Sequence, residues 1–163
     1  RSRMLRIGHG FDVHAFAEGR RLVLGGVDVP AERGLAGHSD ADVVAHALMD
    51  AVLGALREGD IGKLFPDTDP AYEGADSLAL MRRVAELAHS RGWRVADADC
   101  TIAAQAPKLA PYREQMRANM AAALGVPTEA VGVKATTTER LGFVGREEGI
   151  AAWAVVLLER LEP

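Results

Sequence analysis

Asp40-Ala41-Asp42-Val43-Val44-Ala45-His46-Ala47-Leu48-Met49-Asp50-Ala51-Val52-Leu53-Gly54-Ala55-Leu56 places apolar residues at 43, 44, 47, 48, 51, 52 and 55, the spacing of one face of an α-helix. Ser39 or Asp40 is available as its N-cap. Upstream, Leu5–Ile7, Arg21–Leu24 and Val27–Val29 read as short strands, the last two joined by Gly25-Gly26, a dipeptide suited to a tight hairpin. Downstream, 59–74 holds glycines, prolines and aspartates without periodicity and reads as a long loop. Ser77–Ser90 then reads as a second helix, Arg94–Ala104 as a strand, and Pro111–Leu124 as a third helix opened by proline and closed by Gly125. Val131–Ala135 and Ile150–Leu158 supply two more strands. With no internal repeat or linker, this order predicts a single α+β domain over 4–161, its helices packed on one face of a mixed β-sheet. Strand order is not determined at this level.

The length of 163 residues suits one domain, and an apolar fraction of 48% is enough for an ordinary core. Twenty-three acids against 19 bases leave a net charge of -4, so no long-range positive field exists to hold nucleic acid. A phosphorylated small molecule remains compatible, because local cations, amides or a metal can hold one. The single cysteine, Cys100, excludes an internal disulfide and fits a reducing cytoplasm. The longest apolar run, Ile150–Leu158, is nine residues, far below the roughly 20 needed to span a bilayer. Neither membrane insertion nor a signal peptide is expected. Arg1, Ser2 and Arg3 precede Met4, the natural start, and read as a cloning remnant.

Four of the five histidines, His9, His14, His38 and His46, fall in the first 46 residues, with aspartates at 12, 40, 42 and 50. Asp12 and His14 are two apart, so an extended backbone aims both to one side. His46 sits on the predicted helix, sharing a face with Asp42 and Asp50 one turn away on either side. Two imidazoles and a carboxylate suit zinc and leave a fourth tetrahedral position open, the pattern of a catalytic site. Asp42 or Asp50 is a candidate acceptor to orient His46. Taken alone, Asp-x-His is a weak motif that satisfied polar residues also explain. His9 and His89 read as structural or exposed.

Lys134-Ala135-Thr136-Thr137-Thr138-Glu139 follows a strand and precedes a short turn, Glu139–Leu141, that Gly142 ends. Such a corner can cradle phosphate through amides and hydroxyls while Glu139 ligates magnesium, or it can be a plain threonine N-cap. Lys108 lies in a loop fenced by Pro107 and Pro111, from which it can reach a phosphate or simply face solvent. Other templates fail. Gly62-Lys63 lacks the glycine and following Ser or Thr of a Walker A loop. There is no Gly-x-Ser-x-Gly elbow and no His-Glu-x-x-His helix, and Cys100 lies inside a strand.

Gly8–His14, His38-Ser39-Asp40-Ala41-Asp42, the run from Gly59 to Pro70, Gln105-Ala106-Pro107-Lys108 and Lys134–Glu139, in this order, closely resemble the 2-C-methyl-D-erythritol 2,4-cyclodiphosphate synthase family, from Met4 to about Leu161. The resemblance implies a step of non-mevalonate isoprenoid synthesis. In it, 4-diphosphocytidyl-2-C-methyl-D-erythritol 2-phosphate cyclises to the 2,4-cyclodiphosphate with loss of CMP, formally a phosphorus–oxygen lyase reaction. It also implies zinc on Asp12, His14 and His46, and a second ion, magnesium or manganese, involving Glu139.

By the same resemblance, His38 and Thr137 stabilise the transition state, and Ser39 is a further phosphate donor. Asp60 and Gly62 contact the diphosphate, Asp67 recognises the methylerythritol hydroxyls, and Ala104, Lys108, Leu109, Ala110, Ala135 and Thr136 form the cytidine and phosphate pocket. A homotrimer is implied, with active sites between subunits. Phe143, Arg146 and Glu148 are implied around a threefold cavity able to hold an isoprenoid diphosphate. Two rival readings stand beside this one: a zinc-dependent phosphohydrolase, and a non-catalytic trimeric binder of isoprenoid diphosphates or cytidine nucleotides.

Overall fold

The computed structural model of the chain describes residues 4–162; the reading of Arg1–Arg3 as a cloning remnant lies outside the described residues. Five strands form one sheet in the order β4-β1-β7-β5-β6, with β1 Leu5–Ala17, β4 Gly34–Leu35, β5 Trp93–Ala103, β6 Val131–Thr136 and β7 Gly149–Arg160. Every pairing is antiparallel except β5–β6, whose crossover carries a helix, so the sheet is mixed as expected. A separate hairpin pairs β2 Leu22–Leu24 with β3 Val27–Val29, and Gly25 and Gly26 at its turn both have positive φ, 56° and 75°.

α1 Val43–Leu56, α3 Ser77–Ser90 and α4 Arg113–Leu124 cover one face of the sheet. α1 is buried almost all round, with only Asp50 and Gly54 short of full burial. Its place at the centre of the core explains why it is apolar beyond a single stripe. Leu48, Met49 and Leu53 are fully buried, and truncating any one of them to alanine costs about 2–5 kcal/mol.

Several local expectations change. The first strand runs to Ala17 rather than Ile7. Gly8 and Gly10 lie inside it and turn toward α1, where a Cβ would stand 1.8 Å from the Ala51 oxygen and 1.8 Å from the Ala47 oxygen respectively. Bare backbone on β1 lets the helix lie directly on the strand. The N-cap of α1 is Asp42, not Ser39 or Asp40. The stretch 59–74 contains a helical turn, α2 Ile61–Leu64, and a 3-10 turn, Pro70–Tyr72, each capped by an aspartate. Gly142 begins a helical turn, α5 Gly142–Gly145, instead of ending one.

The sheet face away from the helices is apolar and uncovered. Ile7 (71% exposed), Phe11, Val13, Trp153 and Val155 (50% exposed) line it along β1 and β7. Phe11 and Trp153 pack ring to ring at 5.3 Å. Among the described residues, no helix is long and apolar enough to cross a membrane.

Candidate metal centre and nucleotide cavity

Asp12 and His14 project from β1 toward α1, and His46 projects from the second turn of α1 back toward them. Strand alternation aligns the first pair, and the close approach at Gly8 and Gly10 brings the third residue within reach. His14 Nε2 lies 2.9 Å and His46 Nδ1 3.2 Å from Asp12 Oδ2, and the two ring nitrogens are 3.3 Å apart. Three donors around an ion bound tetrahedrally at about 2.0 Å stand about 3.3 Å from one another. The trio therefore fits a metal ion with little rearrangement, and it is the group of this kind found among the described residues.

Hydrogen bonds also suit that use. His14 Nδ1 is 2.8 Å from the Ala36 carbonyl, which can only accept, so Nε2 offers its lone pair to the centre. His46 Nε2 is 2.9 Å from Ser77 Oγ and 3.1 Å from Ser39 Oγ. Burial opposes ionisation of Asp12, but hydrogen bonds to His14 and His46 and their charge outweigh it and hold the carboxyl well below the usual range. For His46, burial disfavours the imidazolium, while the Asp12 hydrogen bond and the surrounding carboxylates win and raise its pKa.

Neither Asp42 nor Asp50 orients His46, contrary to the helical-face expectation. As N-cap, Asp42 turns its carboxylate back onto Ala45 N (3.0 Å) and across to Gly25 N (2.8 Å) and Gly26 N (2.7 Å). Complete burial pushes it up to about 6 against the pull of those N–H donors. Asp50 accepts from Ile61 N at 2.9 Å and so holds the start of α2. The partners of His46 come from Ser77 at the start of α3 and, behind it, Asp40. An isolated serine 31 residues away carries no periodic signal in the sequence.

His38 donates from Nε2 to the Asp69 carbonyl at 3.0 Å, tying the segment before α1 to the 59–74 segment. Asp60 caps α2 through Lys63 N, beside exposed Gly62, and Asp67 is exposed in the following turn. A separate cavity of about 440 Å³ opens where β5 and β6 end. Ala104, Lys108, Leu109, Ala110, Ala135, Thr136 and Thr137 line it, over a floor of Ile102, Met116 and Val133. Arg113 also lines it, a residue without a signal in the sequence reading.

Glu139 is exposed beyond the cavity in a left-handed turn, φ 54°, with its N–H donated to Thr137 Oγ1 at 3.2 Å. Thr138 caps no helix: its hydroxyl donates to the Leu141 carbonyl. Phe143 and Arg146 are exposed, Arg146 paired with Glu148 at 2.6 Å. Cys100 is buried, and burial pushes its thiol up to about 12, which rules it out as a thiolate at neutral pH.

The metal corner and the cavity do not meet within one chain. Asp12, Ala152, Ile102 and Ala135 stand side by side on four adjacent strands, three steps of about 4.8 Å and so about 14 Å across the sheet.

Residues 5–159 match the model of the YgbB family. The chain is 63% identical over 156 residues to the 2-C-methyl-D-erythritol 2,4-cyclodiphosphate synthase of Geotalea uraniireducens, covering 96% of this chain and 99% of that one. It is 65% identical over 155 residues to that of Thioalkalivibrio sulfidiphilus, covering 95% and 97%. Among solved structures it superposes on the bifunctional IspDF of Campylobacter jejuni with a TM-score of 0.95 and 43% identity, over 99% of this chain and 44% of that longer one. The CDP complex of Plasmodium falciparum IspF matches with a TM-score of 0.85 and 30% identity over 99% and 100%. With the metal corner and the nucleotide-sized cavity in place, the chain belongs to the 2-C-methyl-D-erythritol 2,4-cyclodiphosphate synthase family.

Proposed function

We propose that the chain converts 4-diphosphocytidyl-2-C-methyl-D-erythritol 2-phosphate to 2-C-methyl-D-erythritol 2,4-cyclodiphosphate and CMP. The observation that carries this reading is a three-donor metal corner together with a separate nucleoside-sized cavity, in a chain more than 60% identical to named synthases. An oxygen of the 2-phosphate bonds to the β-phosphorus, the bond from that phosphorus to the oxygen bridging to the α-phosphate breaks, and CMP leaves with the electron pair. No water is consumed, so the protein must fold the substrate on itself and keep solvent out.

Asp12, His14 and His46 would hold zinc, which as a Lewis acid supplies positive charge to the crowded diphosphate. Glu139 would hold the second divalent ion, magnesium or manganese; a lone exposed carboxylate suits an ion that takes most of its other ligands from phosphate and water. His38, Ser39 and Thr137 act as hydrogen-bond donors to phosphoryl oxygens, and Asp60 and Gly62 position the diphosphate. Asp67 accepts from the erythritol hydroxyls. Lys108 offsets phosphate charge at the mouth of the cavity, while Ala104, Leu109, Ala110, Ala135 and Thr136 enclose the cytidine.

The proposed assembly is a homotrimer in which the metal corner of one chain faces the cavity of its neighbour. Two observations support it: the uncovered apolar face of β1 and β7, and the separation of corner and cavity within one chain. Phe143 and the Arg146–Glu148 pair would then surround a threefold cavity that takes an isoprenoid diphosphate.

The deciding experiment is phosphorus NMR of the substrate with zinc-loaded protein and magnesium, beside a His46→Ala control. CMP and a cyclic diphosphate are expected, and both should vanish in the control. Orthophosphate without the cyclic product would replace this reading with a phosphohydrolase, and binding without turnover would replace it with a binding protein.

A further inference from the structure

Ser77 sits outside every motif discussed so far, yet it is fully buried and touches a residue of the metal corner. His46 reaches the centre through Nδ1, so any proton on the neutral ring sits on Nε2, and that N–H needs an acceptor. Ser77 Oγ is 2.9 Å away. The same hydroxyl is in close contact with Asp40 Oδ1, and Ser77 N donates to Asp40 Oδ2 at 3.0 Å. A hydroxyl that donates its one proton to a carboxylate has only lone pairs left to present to the imidazole. The direction of the chain is thereby set: His46 Nε2–H to Ser77 Oγ, and Ser77 Oγ–H to Asp40.

We propose that Ser77, backed by Asp40, is a positioning residue that locks His46 with Nε2 protonated and Nδ1 open to the metal ion. This rests on the metal-site reading given above and adds a residue to it. Ser39 Oγ also lies near Nε2, at 3.1 Å, but it accepts from Ala41 N at 3.2 Å and is only half-buried. It is free to turn toward a ligand; Ser77 is not.

The link also joins two regions. Asp40 N donates to the Ala75 carbonyl at 3.0 Å, and Gly74 N donates to the His38 carbonyl at 2.7 Å. The end of the 59–74 segment, the start of α3 and the metal ligand on α1 are thus held through one buried hydroxyl–carboxylate pair.

The test is zinc affinity by chelator competition, in the unmodified protein and in Ser77→Ala. Loss of a partner that orients a metal-bound histidine costs about 10–100-fold in affinity, and that loss is expected in Ser77→Ala with its circular dichroism unchanged. A readout that simple destabilisation would not move comes from cadmium-113 and nitrogen-15 NMR of the loaded, unmodified protein. Cadmium should couple to His46 Nδ1, with a slowly exchanging Nε2–H, and that proton should exchange fast in Ser77→Ala. Equal zinc affinity in the two proteins overturns the inference and leaves the metal site standing. Should Ser77→Ala not fold, cadmium coupling through Nε2 of the unmodified protein overturns it instead. If the unmodified protein binds no zinc at all, the metal-site reading and this inference fall together.

Discussion

Gly10→Ala tests the contact on which the metal corner depends. A Cβ at Gly10 would stand 1.8 Å from the Ala47 oxygen and 2.7 Å from Ala51 N, both backbone atoms of α1. A tolerable contact begins at 3.0 Å, so strand and helix must part by about 1.2 Å. Ala47 adjoins His46, and Gly10 lies two residues before Asp12. The same movement stretches the Asp12–His46 separation from 3.2 Å to as much as about 4.4 Å, beyond the few tenths of an ångström that metal-ligand geometry allows. Because backbone rather than a flexible side chain is met, the stability loss should reach about 3 kcal/mol, the upper end for overpacking. Zinc affinity should fall on the order of 100-fold. Urea unfolding and chelator competition read the two effects. Gly54→Ala is the control: it lies on the same helix, its Cβ comes no closer than 3.8 Å to the His9 oxygen, and its φ is not positive. It should stabilise by up to about 1 kcal/mol through helix propensity. A Gly10→Ala protein with unchanged stability and zinc affinity would refute the reasoning.

Without metal, stability should depend on pH through the same corner. The folded-state pKa of His46 is raised above 6.5, so its contribution is complete below about pH 6.5 and disappears as pH rises through the folded value. Asp12 is lowered from 3.8, so its contribution is present above about pH 4 and is lost as pH falls through its folded value. Zinc must displace the His46 proton, and zinc-induced stabilisation should therefore grow with pH up to the raised folded value and level off above it, in thermal unfolding from pH 5 to 8.5. A zinc effect that is flat across this range would contradict the assignment. Asp42→Asn keeps an Oδ1 acceptor for Gly25 N and Ala45 N but puts an NH2 donor where Oδ2 accepts from Gly26 N, and should cost about 1–3 kcal/mol in urea unfolding. A loss below about 0.5 kcal/mol would show that the carboxylate does not hold the hairpin to α1.

Much of the chain could be read locally. The 3.6-residue spacing in 43–55 and in the second and third helices is intrinsic to the residues, and those helices form where expected. Gly25-Gly26 makes its turn because only that backbone tolerates two positive φ values cheaply. Asp12 and His14 share a side because strand side chains alternate, and their pairing with His46 was visible as a chemical type. What failed locally failed for nonlocal reasons. The first strand reads only to Ile7 because Gly8 and Gly10 carry no side chain to extend the pattern, and the helix that their bare backbone accommodates lies more than 30 residues away in sequence. Asp42 and Asp50, one turn from His46, looked like its partners, but unsatisfied N–H groups at other element ends claimed both carboxylates.

By itself, then, the sequence determined the three long helices, the hairpin and the places of the main strands, the donor types of the metal corner and, through several motifs in order, the family. Only the tertiary structure decided the strand order, the 2.9–3.3 Å spacing of the three donors, the distance between corner and cavity, and the partnership of Ser77 and Asp40 with His46. The physical reason is range. Periodicity, turns and strand alternation are set by neighbours a few residues apart, whereas a site built from residues 12, 46 and 77 exists only once the helices have packed on the sheet.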